Sequence, residues 1–197
     1  MKLWTIQSLE FYNNLISEGE IYSSEEFAEP HFNNAYKWMI NQMENRIGNR
    51  PNSNIYPIWA WYQFTNVKSK RPDLRTKGLL PKGTKGVRIE FDKPDNQILL
   101  SDFDLWHFPL NFLYIADSEK QAAEFDHLLT NAKVIFWEKE KYPTNLREIL
   151  ESSWDKIFDM SYDCEYVAEK FSDKKIQATF WNLKSSEITK VDFFNAK

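Results

Sequence analysis

The sequence predicts a single α+β domain spanning residues 1–197. Three observations carry that prediction. Strand-like and helix-like stretches interrupt one another irregularly, unlike a regular βαβ series. Val87, Ile89 and Phe91 alternate with Arg88 and Glu90, the two-residue period of a half-buried strand. The chain shows no internal repeat, low-complexity tract or linker, and 197 residues fit one domain.

Leu3 to Gln7 reads as a short strand, and Ser8 offers a capping hydroxyl to the helix of Leu9, Tyr12, Leu15 and Ile16. Gly19 is placed to close that helix in a left-handed conformation. Ile21-Tyr22 resumes extended chain. A second helix is expected from about Phe32 to Ile47, with Phe32, Tyr36, Met39, Ile40, Met43 and Ile47 on its apolar face and Gly48 as its stop. Ile55 to Phe64 reads as an aromatic strand, and Lys68 to Lys77 as a loop. Gly86 to Asn111 reads as the most diagnostic stretch, a strand pair joined at Pro94-Asp95-Asn96, its second strand running into Ser101–His107 and a tight aromatic turn. Ser118 and Gln121 form a capping-box pattern. Val134 to Trp137 fits a strand or a helix extension. Thr144 is expected to cap a helix holding Leu146, Ile149, Leu150, Ile157 and Phe158. Cys164 to Phe171 reads as a short helical piece, Ile176 to Leu183 as a terminal strand, and Ile188 with Val191 as a short closing segment.

Composition narrows the function. Hydrophobic residues make up 42% and aromatics 16%, enough for a core and for an apolar cleft. The net charge of −4 argues against a surface that attracts nucleic acid as a whole. Cys164 is the one cysteine, which excludes an intramolecular disulfide and a multi-cysteine zinc site. Residues 1–5 lack a signal-peptide pattern and no apolar run reaches membrane-spanning length, so a cytoplasmic protein without membrane partners is expected. The chain contains no phosphate-binding Gly-x-x-x-x-Gly-Lys-Ser/Thr loop, no Gly-x-Gly-x-x-Gly, no His-Glu-x-x-His and no Gly-x-Ser-x-Gly.

Four constellations remain. Lys68, Lys70, Arg71, Arg75 and Lys77 form a basic loop, readable as a solvated surface with Asp73 partly neutralising it. The other reading is an anion site for a nucleotide, a substrate phosphate, a protein or a nucleic acid, since Arg grips phosphate through paired hydrogen bonds. Asp102 and Asp104, two apart, share a face if the chain is extended there. With His107 they could hold a divalent metal, cap a turn, or supply an Asp104–His107 acid/base pair; no metal centre is predicted. Trp59 and Trp61 share one strand face, and Tyr56, Ile58, Ala60 and Tyr62 the other; one face reads as core and the other as core or ring-stacking cleft. The opening strand with Gln7 and the closing strand with Gln177 place amides where they satisfy backbone groups or meet a ligand.

Leu3-Trp4-Thr5-Ile6-Gln7, Trp38-Met39 with Gln42-Met43 and Arg46, Lys70-Arg71-Pro72-Asp73-Leu74-Arg75, Leu99 to His107, and Ile176 to Trp181 together resemble a bacterial family, domain of unknown function 3841, over Leu3 to Phe194. The order of these strands, with Arg88–Pro94 and Ser186-Glu187-Ile188, also looks like the ADP-ribosyltransferase fold. That likeness implies a central, mostly antiparallel, split sheet with flanking helices, and NAD as ligand or substrate. It puts Gln7 where the fold holds NAD with Arg or His, and Trp59 or Tyr62 where a ring packs on nicotinamide. It puts Gln177 where the fold carries its catalytic Glu. Arg71 and Arg75 would then lie toward the phosphates. Both amides depart from the pattern, because an amide offers no full charge to a developing cation. The chemistry would then fall to another carboxylate such as Asp104 or Glu90, or the chain would be a silent nucleotide- or protein-binding module. A different small-molecule enzyme built on Asp102, Asp104 and His107 is the third reading.

Overall fold

A computed structural model describes residues 1–27, 30–135 and 141–197. Six strands form the main sheet: β1 (Lys2–Ser8), β4 (Ile58–Gln63), β5 (Lys85–Asp92), β6 (Leu99–Asp102), β7 (Ile176–Phe180) and β9 (Ile188–Asn195). Their order is β6-β7-β4-β1-β5-β9, and every described pair is antiparallel. Three shorter strands, β2 (Glu20–Ser24), β3 (Ile55–Tyr56) and β8 (Asn182–Lys184), form a second sheet in the order β3-β2-β8. Five helices accompany them: α1 (Leu9–Glu18), α2 (Asn33–Ile47), α3 (Phe103–Asn111), α4 (Glu119–Asn131) and α5 (Thr144–Ser153). The α+β class with an antiparallel sheet and flanking helices is what the sequence predicts.

Two apolar clusters pack against the sheets. Leu15 of α1 packs with Leu3, Ile89, Ala60, Ala178 and Phe180 in one cluster. Trp38, Met39 and Met43 of α2 pack with Trp106, Leu129, Leu150 and Trp154 in the other. Local signals explain many of the boundaries. The Ser8 hydroxyl accepts from Phe11 N at 3.1 Å, and Gly19 closes α1 at φ 78°. Gly86 is glycine for space: a Cβ there would meet Phe194 Cζ at 2.6 Å and Leu80 Cδ1 at 2.7 Å.

Two expected strands are each split between the sheets. Pro57 separates β3 from β4, because a residue without an N–H cannot continue the ladder. Trp181 likewise separates β7 from β8. This lets one stretch of chain serve both sheets.

The structure corrects several expectations. β5 and β6 are not a hydrogen-bonded pair; β1, β4 and β7 lie between them. Of Ser101–His107 only Ser101 and Asp102 are extended, as the end of β6; Phe103 to His107 is helical. Asp102 accepts from Asp104 N at 3.0 Å and Leu105 N at 3.1 Å and so starts α3. Helical signalling by an Asx cap overrides the strand-like run before it. Arg88 does not face solvent: it is buried against Asp192 and the Pro72 carbonyl. Pro143, not Thr144, occupies the cap position of α5, and Ile157 with Phe158 lies in a following 3-10 turn. Cys164 to Phe171 is a set of turns closed by a Cys164–Ala168 bridge. The closing segment is longer than expected, an eight-residue edge strand paired with β5. Val134 and Ile135 are neither helix nor strand, and the rest of Val134–Trp137 lies outside the described residues. Among the described residues, no helix is long and apolar enough to cross a membrane.

Candidate functional site

β1 and β4 are sheet neighbours, yet Trp4 and Trp61 are the one registered pair between them. Toward Gln7 the ladder gives way to side chains. Thr5 Oγ1 donates to the Trp59 carbonyl at 2.9 Å, and Gln7 Nε2 donates to Thr5 Oγ1 at 2.8 Å. A cavity of about 480 Å³ opens along this gap. Gln7, Trp59 and Gln177 all line it, together with Trp61, Phe64 and Phe103. Gln177 reaches it because β7 pairs with β4 in the register Gln177–Trp61. Lys77 and Lys175 also line it, and among the described residues its wall contains no Asp or Glu.

The polar groups are few. Trp59 packs on Trp106 at 5.4 Å, and its Nε1 is buried without a hydrogen-bond partner among the described residues. Lys175 Nζ lies 3.0 Å from Asp104, with both side chains more than 40% exposed at 42% and 46%. Such an exposed pair is weak, about 0–1 kcal/mol, so an anion in the cavity can compete with Asp104 for that ammonium.

The remaining predicted residues are placed elsewhere. Tyr62 is not in this wall; Lys70 Nζ sits 4.5 Å over its ring. Arg75 is engaged with Asp73 at 2.6 Å, and the hydrogen bonds from Arg75 lower the Asp73 carboxyl to about 2. Arg71 is exposed and close enough to Asp192 to influence it. His107 Nδ1 meets the Phe103 carbonyl of its own helix at 3.0 Å, and the ring stands edge-on to Phe103. Asp104 and His107 therefore do not form a bonded acid/base pair. Asp102 is buried on Lys174 at 2.7 Å. Among the described residues, no cluster of three His, Cys, Asp or Glu side chains could hold a metal ion. Glu90 is bonded to Lys2 at 2.6 Å and Trp4 at 2.8 Å, and the Lys2 ammonium holds its carboxyl below the usual range.

Lys175 and Phe103 were not among the expected binding residues, whereas Trp61 lies on the strand face it was expected to share with Trp59. Lys175 had a signal: it lies two residues before Gln177, so an extended chain puts both on one face. Phe103 had none, since its position depends on α3 starting at Asp102.

Residues 2–189 match the family model described as a domain of unknown function, DUF3841. The chain belongs to the DUF3841 family. No curated protein and no solved structure matches it. In this DUF3841 chain the crevice between β1 and β4 is where Gln7, Trp59 and Gln177 meet a cavity, while Asp102 and Asp104 line another of about 760 Å³. The crevice wall combines flat rings, two amides and two ammonium groups.

Proposed function

We propose that this DUF3841 chain binds a nucleotide, NAD or a related ligand, in the crevice between β1 and β4. The observation that carries the reading is the convergence of Gln7, Trp59 and Gln177 on one cavity whose charged lining, among the described residues, is Lys77 and Lys175 alone. Aromatic walls suit a base or a nicotinamide ring, and ammonium groups suit phosphates. The amides can hydrogen-bond ribose hydroxyls or a carboxamide. The likeness to the ADP-ribosyltransferase outline supports the same assignment of Gln7 and Gln177.

The lining favours binding over group transfer. A transfer site needs negative charge where the oxocarbenium-like cation develops, and among the described residues no carboxylate lines this cavity. The proposal is therefore a nucleotide-binding module, with protein or nucleic-acid recognition through the Lys68–Lys77 loop as a second role. The loop reading rests on Lys77 reaching the cavity from that loop.

The test is thermal stabilisation by NAD, ADP-ribose and ADP. At a ligand concentration of about 100 Kd the folded state gains roughly 2.7 kcal/mol. That corresponds to about 5–10 °C in Tm for a chain of this size. Gln7→Ala, Lys77→Ala and Gln177→Ala should each reduce the shift. Prolonged incubation should release no nicotinamide. Release that disappears in Gln177→Ala would establish transfer instead, and no shift with any of the three ligands would overturn the nucleotide reading.

A further inference from the structure

The crevice has a second chamber of opposite electrical character. Gln7 and Trp59 also line an adjoining cavity of about 600 Å³, bounded by α1, β2 and the start of β4. Among the described residues its charged lining is Glu10 and Glu26, with no Lys or Arg. The neighbouring chamber holds Lys77 and Lys175 and, among the described residues, no carboxylate. The two chambers share a wall and cannot favour the same group.

The second chamber is also walled by aromatic rings. Tyr36 and Tyr56 have centroids 6.4 Å apart at 45°, and Tyr36 meets Trp59 at 6.4 Å and 88°. The three rings pack on one another at these angles and all three line the chamber. Tyr22 adds a further ring and is 39% exposed, so the chamber is open to solvent on its side. Burial, with the Glu25 carboxylate next in effect, raises the Tyr56 phenol above its ordinary range. Glu25, which interacts with the Tyr56 hydroxyl, and the Arg50 guanidinium, which opposes the shift, both lie near that ring outside the chamber lining.

We propose that this chamber is a binding site for an organic cation, an alkylammonium or guanidinium group. The negative ring faces attract a cation through the ring quadrupole, and the carboxylates add direct charge attraction. A hard metal ion is not what such a wall recognises, because it requires six or more oxygen ligands at close range. An anion is disfavoured by Glu10 and Glu26. The inference stands independently of nucleotide binding next door. The cation could belong to a free quaternary amine or to a side chain of a protein partner; both present the same chemistry.

The experiment titrates the full chain in two arms, read by tryptophan fluorescence and by NMR. One arm uses choline against its uncharged carbon isostere. The other uses a short end-blocked peptide containing arginine against the same peptide with citrulline. The expected result is binding of the charged probe in at least one arm, at least about tenfold tighter than its neutral counterpart. The tighter arm names the source of the cation. Glu10→Gln with Glu26→Gln should weaken that binding by about three- to tenfold and leave Tm unchanged, since both side chains are exposed. Tyr22→Ala should weaken it by a similar factor. Three outcomes overturn the inference. They are no binding of either charged probe at about 10 mM, equal binding of charged and neutral probes, and unchanged affinity in the double glutamine variant. ADP is titrated in parallel, so failure of the nucleotide reading registers separately.

Discussion

Lys174 and Asp102 form a buried ion pair at 2.7 Å, with side chains 0% and 3% exposed. Asp102 has a second role, accepting the first N–H groups of α3 through its other oxygen. Asp102→Asn keeps an amide oxygen for the cap and removes the charge. Lys174 is then left as an unpaired buried ammonium, a situation that costs about 3–5 kcal/mol. Asp102→Ala also removes the cap, adding about 1 kcal/mol. For a chain of this length each kcal/mol is worth about 2–4 °C, so Asp102→Asn should lower Tm by roughly 6–20 °C. Lys174→Met should cost a similar amount by stranding the carboxylate. The double variant Asp102→Asn/Lys174→Met should recover most of the loss, because neither buried charge remains. Urea and thermal unfolding followed by circular dichroism measure all four. Single variants that each cost less than about 1 kcal/mol, or a double variant no better than either single, would refute the reasoning.

Gly86→Ala should destabilise by about 1–3 kcal/mol, the cost of overpacking, since its Cβ would fall 2.6 Å from Phe194; shortening Phe194 in the same chain should recover part of that in urea melts. Asp192→Asn should cost about 1–3 kcal/mol at neutral pH by removing the charge-assisted bonds from buried Arg88. The Arg88 guanidinium lowers the Asp192 carboxyl, so that stability is present above the unfolded carboxylate value. It is lost as pH falls through the lowered folded value, and the two proteins should converge in acid melts. The Asp73 carboxyl should titrate near about 2 by NMR, and Arg75→Ala should return it to the ordinary range, because Arg75 is the main cause of the shift.

The fold class and most elements were legible because local chemistry decides them. Ser8, Gly19 and Gly48 act through their own caps and turns, and the Val87–Phe91 alternation needs only a sheet with a buried face. What could not be read from the sequence depends on partners far along the chain. Arg88 looks like the exposed half of an alternating strand until Asp192 and the Pro72 carbonyl arrive over it. Asp102 ends strand β6, but its capping bonds to α3 and its ion pair with Lys174 are invisible in a linear pattern. The order of the sheet was similarly hidden: β5 and β6 are sequential, yet β1, β4 and β7 come between them.

The site divides along the same line. Gln7, Trp59 and Gln177 were picked out through the ADP-ribosyltransferase likeness, and the sheet order brings them to one cavity. The basic loop was recognised as a cluster, but its members separate in space. Arg75 pairs with Asp73, Lys70 covers Tyr62, and Lys77 reaches the crevice. Charge density along the chain cannot distinguish these fates; the nearest acid or ring does.

The central claim is that the crevice between β1 and β4 holds a nucleotide, and calorimetric titration of NAD and ADP-ribose tests it most directly. The account predicts saturable binding of both ligands, weakened by Lys77→Ala and Gln7→Ala in chains that unfold at the wild-type temperature. Absence of heat at about 10 mM ligand, or binding that neither substitution changes, would contradict it.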